Sequence, residues 1–537
     1  MYTYMMAPLI MAAGLSFISC SGDDDYIPDA IRRPSTGEDN PPVVVEDPRA
    51  DVPVHVEGEP YDTYCGLVMT GYQGWFGAHG DGCPAHDTNP DNEQSGWYHY
   101  QESGQFRPGV LNNSIDFWPD MTEYEKKYDT AFTHPDGTTA QVYSAYDESS
   151  VLLHFKWMQE YGIDGAFMQR FIGEAVCAMD GDNPDYSQRP GNKSHFDKVL
   201  ESAMKGSDRY QRAISVMYDL GGYRAAMKEY VVRDINEIDA LYGLKDRRAK
   251  YYLYENGKPL VALWGVGFSA GERGYSNSDV QELVDALKDE GYSVMLGVST
   301  NWRTGGGDTP GDIKNLHALV KSSDVIMPWY VGRYDNNSYH SFKSRINDDL
   351  AWCMDEANYR EDGKPVVYVP HCFPGGSALN MQPQYGMING VNGTEIDPES
   401  RRGDGGRYRG EFFWKQLYHI ISSGCPAVYV AMFDEIDEGT AIYKLCHKSE
   451  VPGNVADKDY WVVFNKASNS AYKVNIAMPE PAVPSGGGWV YKGSELNITF
   501  QGIDDDLPSD FYLRMTGYAA KMLRRDVDLI ESVPALQ

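Results

Sequence analysis

Eight short apolar runs, separated by amphipathic stretches, constrain this chain more than any other feature. They fall at residues 67–75, 165–171, 213–220, 260–266, 293–298, 324–331, 365–372 and 427–433. Their cores (AFMQRF, ISVMYDL, LVALWGV, VIMPWYVG, VVYVPHCF, VYVAMFDE) show almost no polar alternation. That is the pattern of parallel strands covered on both faces. Helices are expected between them at 149–162, 195–205, 278–291, 312–321, 342–359, 410–423 and 509–523. In the first, Leu152, Phe155, Trp157, Met158 and Tyr161 recur at helical spacing and Gly162 closes the run. The stretch 278–291 opens at a Ser with acids in its first turn and ends on Gly. Strand followed by helix, repeated around eight strands, predicts the α/β class and a (β/α)8 TIM barrel.

The barrel is expected to fill residues 61–530, well beyond the ~250 residues typical of the fold. The excess falls after the first and last strands, in inserted loops at about 78–140 and 457–506. Loops after barrel strands build the catalytic face, so long ones there imply an extended cleft. The second insertion carries strand-like patches at 460–464 and 496–500, which also fit a small appended β unit. No internal repeat of 20–50 residues is evident.

Ahead of the barrel, residues 5–18 form an apolar run too short to span a membrane, which takes about 20 residues. Residues 1–19 therefore read as a signal peptide ahead of Cys20. The ending Phe17-Ile18-Ser19-Cys20 resembles a bacterial lipobox, which makes Cys20 the expected lipidation site. The following Ser21-Gly22-Asp23-Asp24-Asp25 resembles the acidic export tag of surface lipoproteins in Bacteroidetes-type bacteria. Residues 20–60 are rich in Pro, Asp, Glu and Val without apolar periodicity, the composition of a disordered tether. The expected location is lipid-anchored to the outer membrane, facing outside the cell. Contact with the membrane would then run through the lipid anchor only. The formal net charge of −31 excludes a nucleic-acid partner and electrostatic docking on anionic lipid, both of which need a positive surface.

Chemistry concentrates just past the last expected strand, in Asp434-Glu435-Ile436-Asp437-Glu438-Gly439-Thr440. Four carboxylates in five positions raise one another's pKa, so that one can stay protonated as an acid while another serves as a base. Without such use, the segment would be a solvated acidic turn. Other candidates sit at or past strand ends. Gln169 and Arg170 end the second strand, and Asp219 ends the third. Arg170 could hold an acidic sugar or pair with Asp219, and Asp219 could bind a sugar hydroxyl or partner an Arg. Tyr72, Trp75, Phe76, Trp302, Trp329, Tyr330, Arg333 and Tyr334 read as stacking platforms and hydroxyl donors of a sugar cleft, or as packing at the barrel mouth. The 404–407 stretch Asp-Gly-Gly-Arg reads as a binding loop or a flexible turn.

The acidic segment resembles the Asn-Glu-Trp-His-Glu-Gly-Thr block of glycoside hydrolase families 71 and 99, with Glu435, Glu438, Gly439 and Thr440 matching. Asp434, Ile436 and Asp437 depart from it. Tyr72-Gln73-Gly74-Trp75-Phe76, the passage from Tyr161 to Gly165 running into Gln169-Arg170-Phe171, and Val216-Met217-Tyr218-Asp219 follow in the order of that superfamily. The resemblance covers most of residues 62–530. It implies a retaining, α-linkage-specific glycosidase of O-glycosyl bonds whose substrate is an oligo- or polysaccharide. In the endo-α-mannosidase branch the first Glu takes the proton of the sugar 2-hydroxyl and the second protonates the leaving oxygen. Carried over, Glu435 is the base and Glu438 the acid, while Asp434 and Asp437 join the substrate-binding set. A direct-nucleophile route with two carboxyls about 5 Å apart stays open. So do two other readings: a non-catalytic surface glycan-binding lipoprotein, and an exo-acting xylosidase or arabinosidase. Glycan-uptake proteins at the cell surface are the expected protein partners.

No cofactor and no metal are expected. Cys65, Cys83, Cys177, Cys353, Cys372, Cys425 and Cys446 form no CxxC pair, although one or two disulfides are allowed. His79, His86 and His99 cluster only loosely, and the 180–185 stretch Asp-Gly-Asp-Asn-Pro-Asp lacks the distal Glu of a calcium loop. No P-loop, dinucleotide fingerprint or G-x-S-x-G elbow is found.

Overall fold

A computed structural model describes residues 47–536, except 90, 102–105, 110–111, 177–189, 269–273, 310, 312, 378–379, 381–404, 454–457, 466, 469 and 496–499. The leader, Cys20 and most of the expected tether lie outside the described residues, as does the 180–185 stretch.

The eight apolar runs form the strands Val68–Tyr72, Gly165–Phe171, Ala213–Asp219, Lys258–Val266, Ser293–Val298, Val325–Pro328, the pair Val367–Tyr368 and His371–Cys372, and Val428–Val430. Consecutive strands pair in parallel, and the eighth lies against the first with Val68 opposite Val428. The seventh run comes in two pieces because Pro370 has no N–H to give a ladder. Its first piece pairs with the sixth strand, Val367 opposite Val325. Its second pairs with the eighth, His371 opposite Tyr429, and the Pro370 carbonyl accepts the Tyr429 N–H at 3.1 Å. The sheet path therefore begins and ends on one run of chain, and the sheet curls into a barrel. Its strands are buried almost throughout, as their continuous apolar character requires.

The expected helices are present with shifted ends. Glu148–Tyr161 stops at Gly162, whose φ of 76° is left-handed. Asn277–Asp289 starts at Ser276, not Ser278, with Ser276 and Asp279 in a capping box. The others are Pro190–Tyr210, Ile313–Ser322, Ser344–Met354, Glu411–Ser422 and Phe511–Leu523. Among the described residues one long helix was not expected: Lys228–Tyr242. Its buried stripe of Val231, Asp234, Ile235 and Ile238 is interrupted by a carboxylate, which hides the apolar period.

Both insertions carry structure of their own. The first holds an antiparallel hairpin, Tyr128–Thr133 with Thr139–Val142. The second holds a three-stranded antiparallel sheet, with Tyr460–Asn465 between Ser470–Asn475 and Gly488–Lys492. Of the two strand-like patches, 460–464 forms the central strand, and 496–499 of the other lie outside the described residues. The insertions meet each other: Cys446 N–H donates to the Trp118 carbonyl (2.9 Å), Ile503 N–H to Cys446 (3.1 Å) and Gln501 N–H to Asp116 (2.7 Å). Cys65, Cys83, Cys353, Cys372, Cys425 and Cys446 are free thiols. Among the described residues no helix is long and apolar enough to cross a membrane.

Candidate active site

The four carboxylates do not form a solvated turn. Past the eighth strand the chain makes an excursion closed at its neck by backbone bonds. Met432 N–H donates to the Thr440 carbonyl (3.1 Å), Ile442 N–H to Met432 (3.0 Å) and Tyr443 N–H to Phe433 (3.1 Å). Neighbouring segments hold the loop from outside. Asp116 and Phe117 of the first insertion donate their N–H groups to the Ile436 carbonyl, and Ser377 donates to the Glu438 carbonyl at 2.9 Å. Arg407 reaches beneath, its Nη2 donating to the carbonyls of Gly439 (2.9 Å) and Ala441 (2.6 Å). Gly439 has φ +68°, and a Cβ there would lie 2.7 Å from the Ser377 nitrogen, so only glycine fits without strain.

Within this frame the four acids have separate environments. Asp434 is fully buried and accepts the backbone N–H groups of Gln73 and Gly74, both at 2.8 Å, which ties the eighth strand to the first. Burial pushes its carboxyl up to about 7, and the two N–H donors pull the other way. Glu435 is 4% exposed. One of its oxygens accepts from Gln73 Nε2 and the other from the Thr440 hydroxyl. Burial and the Asp437 charge raise its proton affinity, against these two donors. Asp437 is also buried; burial and the charge of Asp116 hold its carboxyl above the usual range. Glu438 is partly exposed, and its carboxyl has no hydrogen-bond donor among the described residues. Burial, then the charges of Glu435 and Asp437, push it well above the ordinary glutamate value.

The arrangement makes Glu435 the more readily ionised of the two glutamates. Two neutral donors fixed on Glu435 stabilise its charged form, whereas Glu438 faces only like charges and keeps its proton. Burial also neutralises His99 beside them: its ring is pushed down to about 4, and its Nδ1 lies 3.8 Å from Asp437 Oδ2.

The structure brings some of the expected site residues together and separates others. Trp75 belongs to the acidic site. It is partly exposed and stacks on His99 (4.0 Å between ring centroids, 6°) and on Phe171 at the end of the second strand (5.3 Å). Gln169 points into the barrel, where its Nε2 lies 3.2 Å from Met217 Sδ. Trp329 is partly exposed at another part of the mouth, stacked on His371 (4.5 Å, 14°) and edge-on to Trp264 (5.1 Å). Asp219 is partly exposed and accepts the Gly221 N–H at 2.6 Å; Arg170 is not its partner.

Four expectations are corrected. Arg170 alternates with Gln169 and so faces outward. Its buried guanidinium donates two hydrogen bonds to Asp234 (2.6 and 2.5 Å), which leaves it no route to a sugar. Tyr72 is fully buried, with its hydroxyl 2.8 Å from His154 Nδ1. Trp302 is fully buried too, donating to Asp349 (3.1 Å) and packed edge-on against Trp352. Tyr330 is buried with its hydroxyl 2.9 Å from that of Tyr368. Arg333, by contrast, stays partly exposed and pairs with Asp308 at 3.1 Å. The supposed binding loop before the last strand supplies Arg407 as a clamp under the acidic loop, and its Asp lies outside the described residues.

Residues to which the sequence reading gave no role in the site include Gln73, Thr440, His99 and Asp116. Gln73 stood inside a quoted motif, directly after the first strand, which was the available signal. Asp116 had none, because it reaches the site through a non-local pairing.

Solved structures similar to this chain include a GH99 endo-alpha-mannosidase from Bacteroides thetaiotaomicron, at 13% identity and a TM-score of 0.49, covering 86% of this chain and 99% of that one. A second structure of a GH99 endo-alpha-mannosidase from that organism gives 13% identity and a TM-score of 0.48 over the same shares. An endocellulase from Pyrococcus horikoshii matches at 14% identity and a TM-score of 0.30, over 57% of this chain and 89% of that one. No family model and no curated protein matches the chain.

Proposed function

We infer that this protein is a glycoside hydrolase that cleaves O-glycosidic bonds of an extracellular glycan, with Glu435 as base or nucleophile and Glu438 as general acid. The observation that carries the reading is the contrast between the two glutamates. Glu435 is fixed by Gln73 and Thr440, whereas Glu438 is partly exposed and faces only other acids. The partly exposed edge of Trp75 beside them offers an apolar contact for a sugar ring. The α-linkage preference rests on the resemblance of residues 434–440 to the family 71 and 99 block. The lipid anchor at Cys20 and the outward-facing location rest on the leader and the acidic tag.

In the 2-hydroxyl route, Glu435 takes the proton of O2, O2 closes on C1, and the C1–leaving-oxygen bond breaks as Glu438 donates its proton. Glu438 then deprotonates water, which attacks C1. The C1–O2 bond opens and O2 recovers its proton from Glu435. Purified protein incubated with α-mannans, α-glucans and arabinoxylans should release products from one class with retained anomeric configuration. Glu435→Gln and Glu438→Gln should each lower turnover by about 10²-fold or more while glycan binding survives. A 2-deoxy substrate separates the routes: it is inert if O2 is the attacking atom and cleaved if Glu435 attacks directly. Unchanged activity in both variants would remove the assignment. Binding with no product from any glycan would favour the non-catalytic binder.

A further inference from the structure

A second cluster of reactive side chains lies behind the first strand's turn, outside the carboxylate site. Cys83 and His86 come from the first insertion, and His195 from the helix Pro190–Tyr210, 112 positions beyond Cys83. One ligand atom from each lies within 4.8 Å of the other two. Spacing alone hid the site, because the donors follow C-x-x-H with a distant histidine and no CxxC pair.

Hydrogen bonds fix the orientation of both rings. His195 Nε2 lies 2.8 Å from the Gly74 carbonyl, which can only accept, so Nε2 carries the proton and Nδ1 presents a lone pair. That Nδ1 faces Cys83 Sγ at 3.8 Å. His86 Nε2 lies 3.0 Å from Asp81 Oδ2, and its Nδ1 is buried without any hydrogen-bond partner. Asp81 is itself held by the Ala78 and Cys83 N–H groups (3.0 and 2.8 Å) and by the Ser144 hydroxyl (2.7 Å). A carboxylate on one imidazole and a backbone carbonyl on the other are the outer partners that orient metal-bound histidines. Neighbouring groups hold the rings in place. Tyr98 stacks on His86 at 5.3 Å, and a Cβ at Gly77 would lie 2.2 Å from the His86 ring.

We propose that Cys83, His86 and His195 bind one divalent transition-metal ion of the Zn²⁺ class, through Cys83 Sγ and the two Nδ1 atoms. One thiolate with two imidazoles suits zinc, and a water would complete a tetrahedron. Ligand separations under 4.8 Å close onto Zn–N of about 2.0 Å and Zn–S of about 2.3 Å with small rotations. Cys83 and His195 are buried, and His86 is partly exposed, so the ion enters past His86. Binding releases the Cys83 thiol proton. The ion would join the first insertion to the second-strand helix and, through His195, steady Gly74, whose N–H grips Asp434. His195 is thus a positioning residue and takes no part in bond breaking.

The full chain, reduced and stripped by chelator, is titrated with Co²⁺ and then Zn²⁺. One Co²⁺ per chain should give a thiolate-to-cobalt charge-transfer band that Zn²⁺ abolishes, and Zn²⁺ should raise the melting temperature. Losing an outer partner alone costs ~10–100-fold in affinity, so losing a ligand in Cys83→Ser should weaken Zn²⁺ binding by about 100-fold or more and remove the band. His86→Ala, on the partly exposed side, should weaken binding similarly while circular dichroism stays unchanged, which guards against a misfolded Cys83→Ser. The proposal falls if the wild-type chain binds no stoichiometric metal or if Cys83→Ser binds as tightly as wild type. It also falls if peptide mapping without reductant finds Cys83 in a disulfide.

Discussion

Asp437 shows how a single carboxyl in this site couples charge to stability. Burial and the nearby Asp116 raise its folded-state pKa above that of the unfolded chain. Between those two values the folded protein holds a proton that the unfolded chain has released. Folding then takes up a proton, so the contribution of Asp437 to stability is complete at low pH and is lost as pH rises through the folded pKa. Asn cannot ionise and keeps the shape. Asp437→Asn should therefore gain stability relative to wild type as pH is raised from 5 to 8, at a slope of up to ~1.4 kcal/mol per pH unit, read as a rising difference in melting temperature. Parallel melting curves of the two proteins across that range would show that Asp437 is ionised throughout. Gln73 and Thr440 act oppositely on Glu435: as neutral donors they stabilise its charge without adding to the repulsion. Part of this was readable beforehand, since four acids after an apolar strand announce mutual pKa shifts. Which acid carries the donors was not, because Gln73 comes from the opposite end of the chain.

At the scale of elements, the second strand and the helix Lys228–Tyr242 are joined by one buried ion pair, Arg170 with Asp234, completed by the Tyr218 hydroxyl at 2.7 Å from Asp234. Asp234→Ala would leave a buried guanidinium without its main counter-charge, and should lower unfolding free energy by about 3–5 kcal/mol, measured by urea denaturation. Arg170→Met together with Asp234→Leu should restore most of that loss, because the pair's desolvation cost disappears with its attraction. The same pair explains two errors of the sequence reading. Asp234 broke the apolar stripe and concealed a helix, and Arg170 looked like a ligand-binding group at a strand end. Strand identity was readable because apolar runs buried on both faces have few other uses. The direction of a side chain just past a strand end was not, since one residue of shift turns it from the mouth to the surrounding helices. Trp302 and Tyr330 turned to the helices, and Trp75 and Trp329 stayed partly exposed.

Across the whole molecule, the two insertions and the barrel act as one body, with the residue 116–119 segment, residues 445–447 and residues 501–503 hydrogen-bonded in sequence over the acidic loop. Those pairings span most of the chain and leave no local pattern, so the sequence located the insertions without showing that they enclose the site. The −31 net charge bears on how the molecule is held. Acid-rich residues 21–60 gain nothing from anionic lipid, so attachment would depend on acyl chains at ~0.8 kcal/mol per buried methylene. Cys20→Ala should move the protein from the membrane to the soluble fraction of cells, with turnover and melting temperature of the purified chain unaltered. Retention on membranes would argue against lipidation there. The divided seventh strand has a consequence of another kind. A sheet that stops short of closure exposes a rim of unmatched amide groups, to which a neighbouring copy can add its own strand. Here Pro370 sits where one run hands over from one neighbour to the other, so both rims of the main sheet are two-residue pieces of the same run. Among the described residues these rims are too short to give copies crowded side by side a strand to extend.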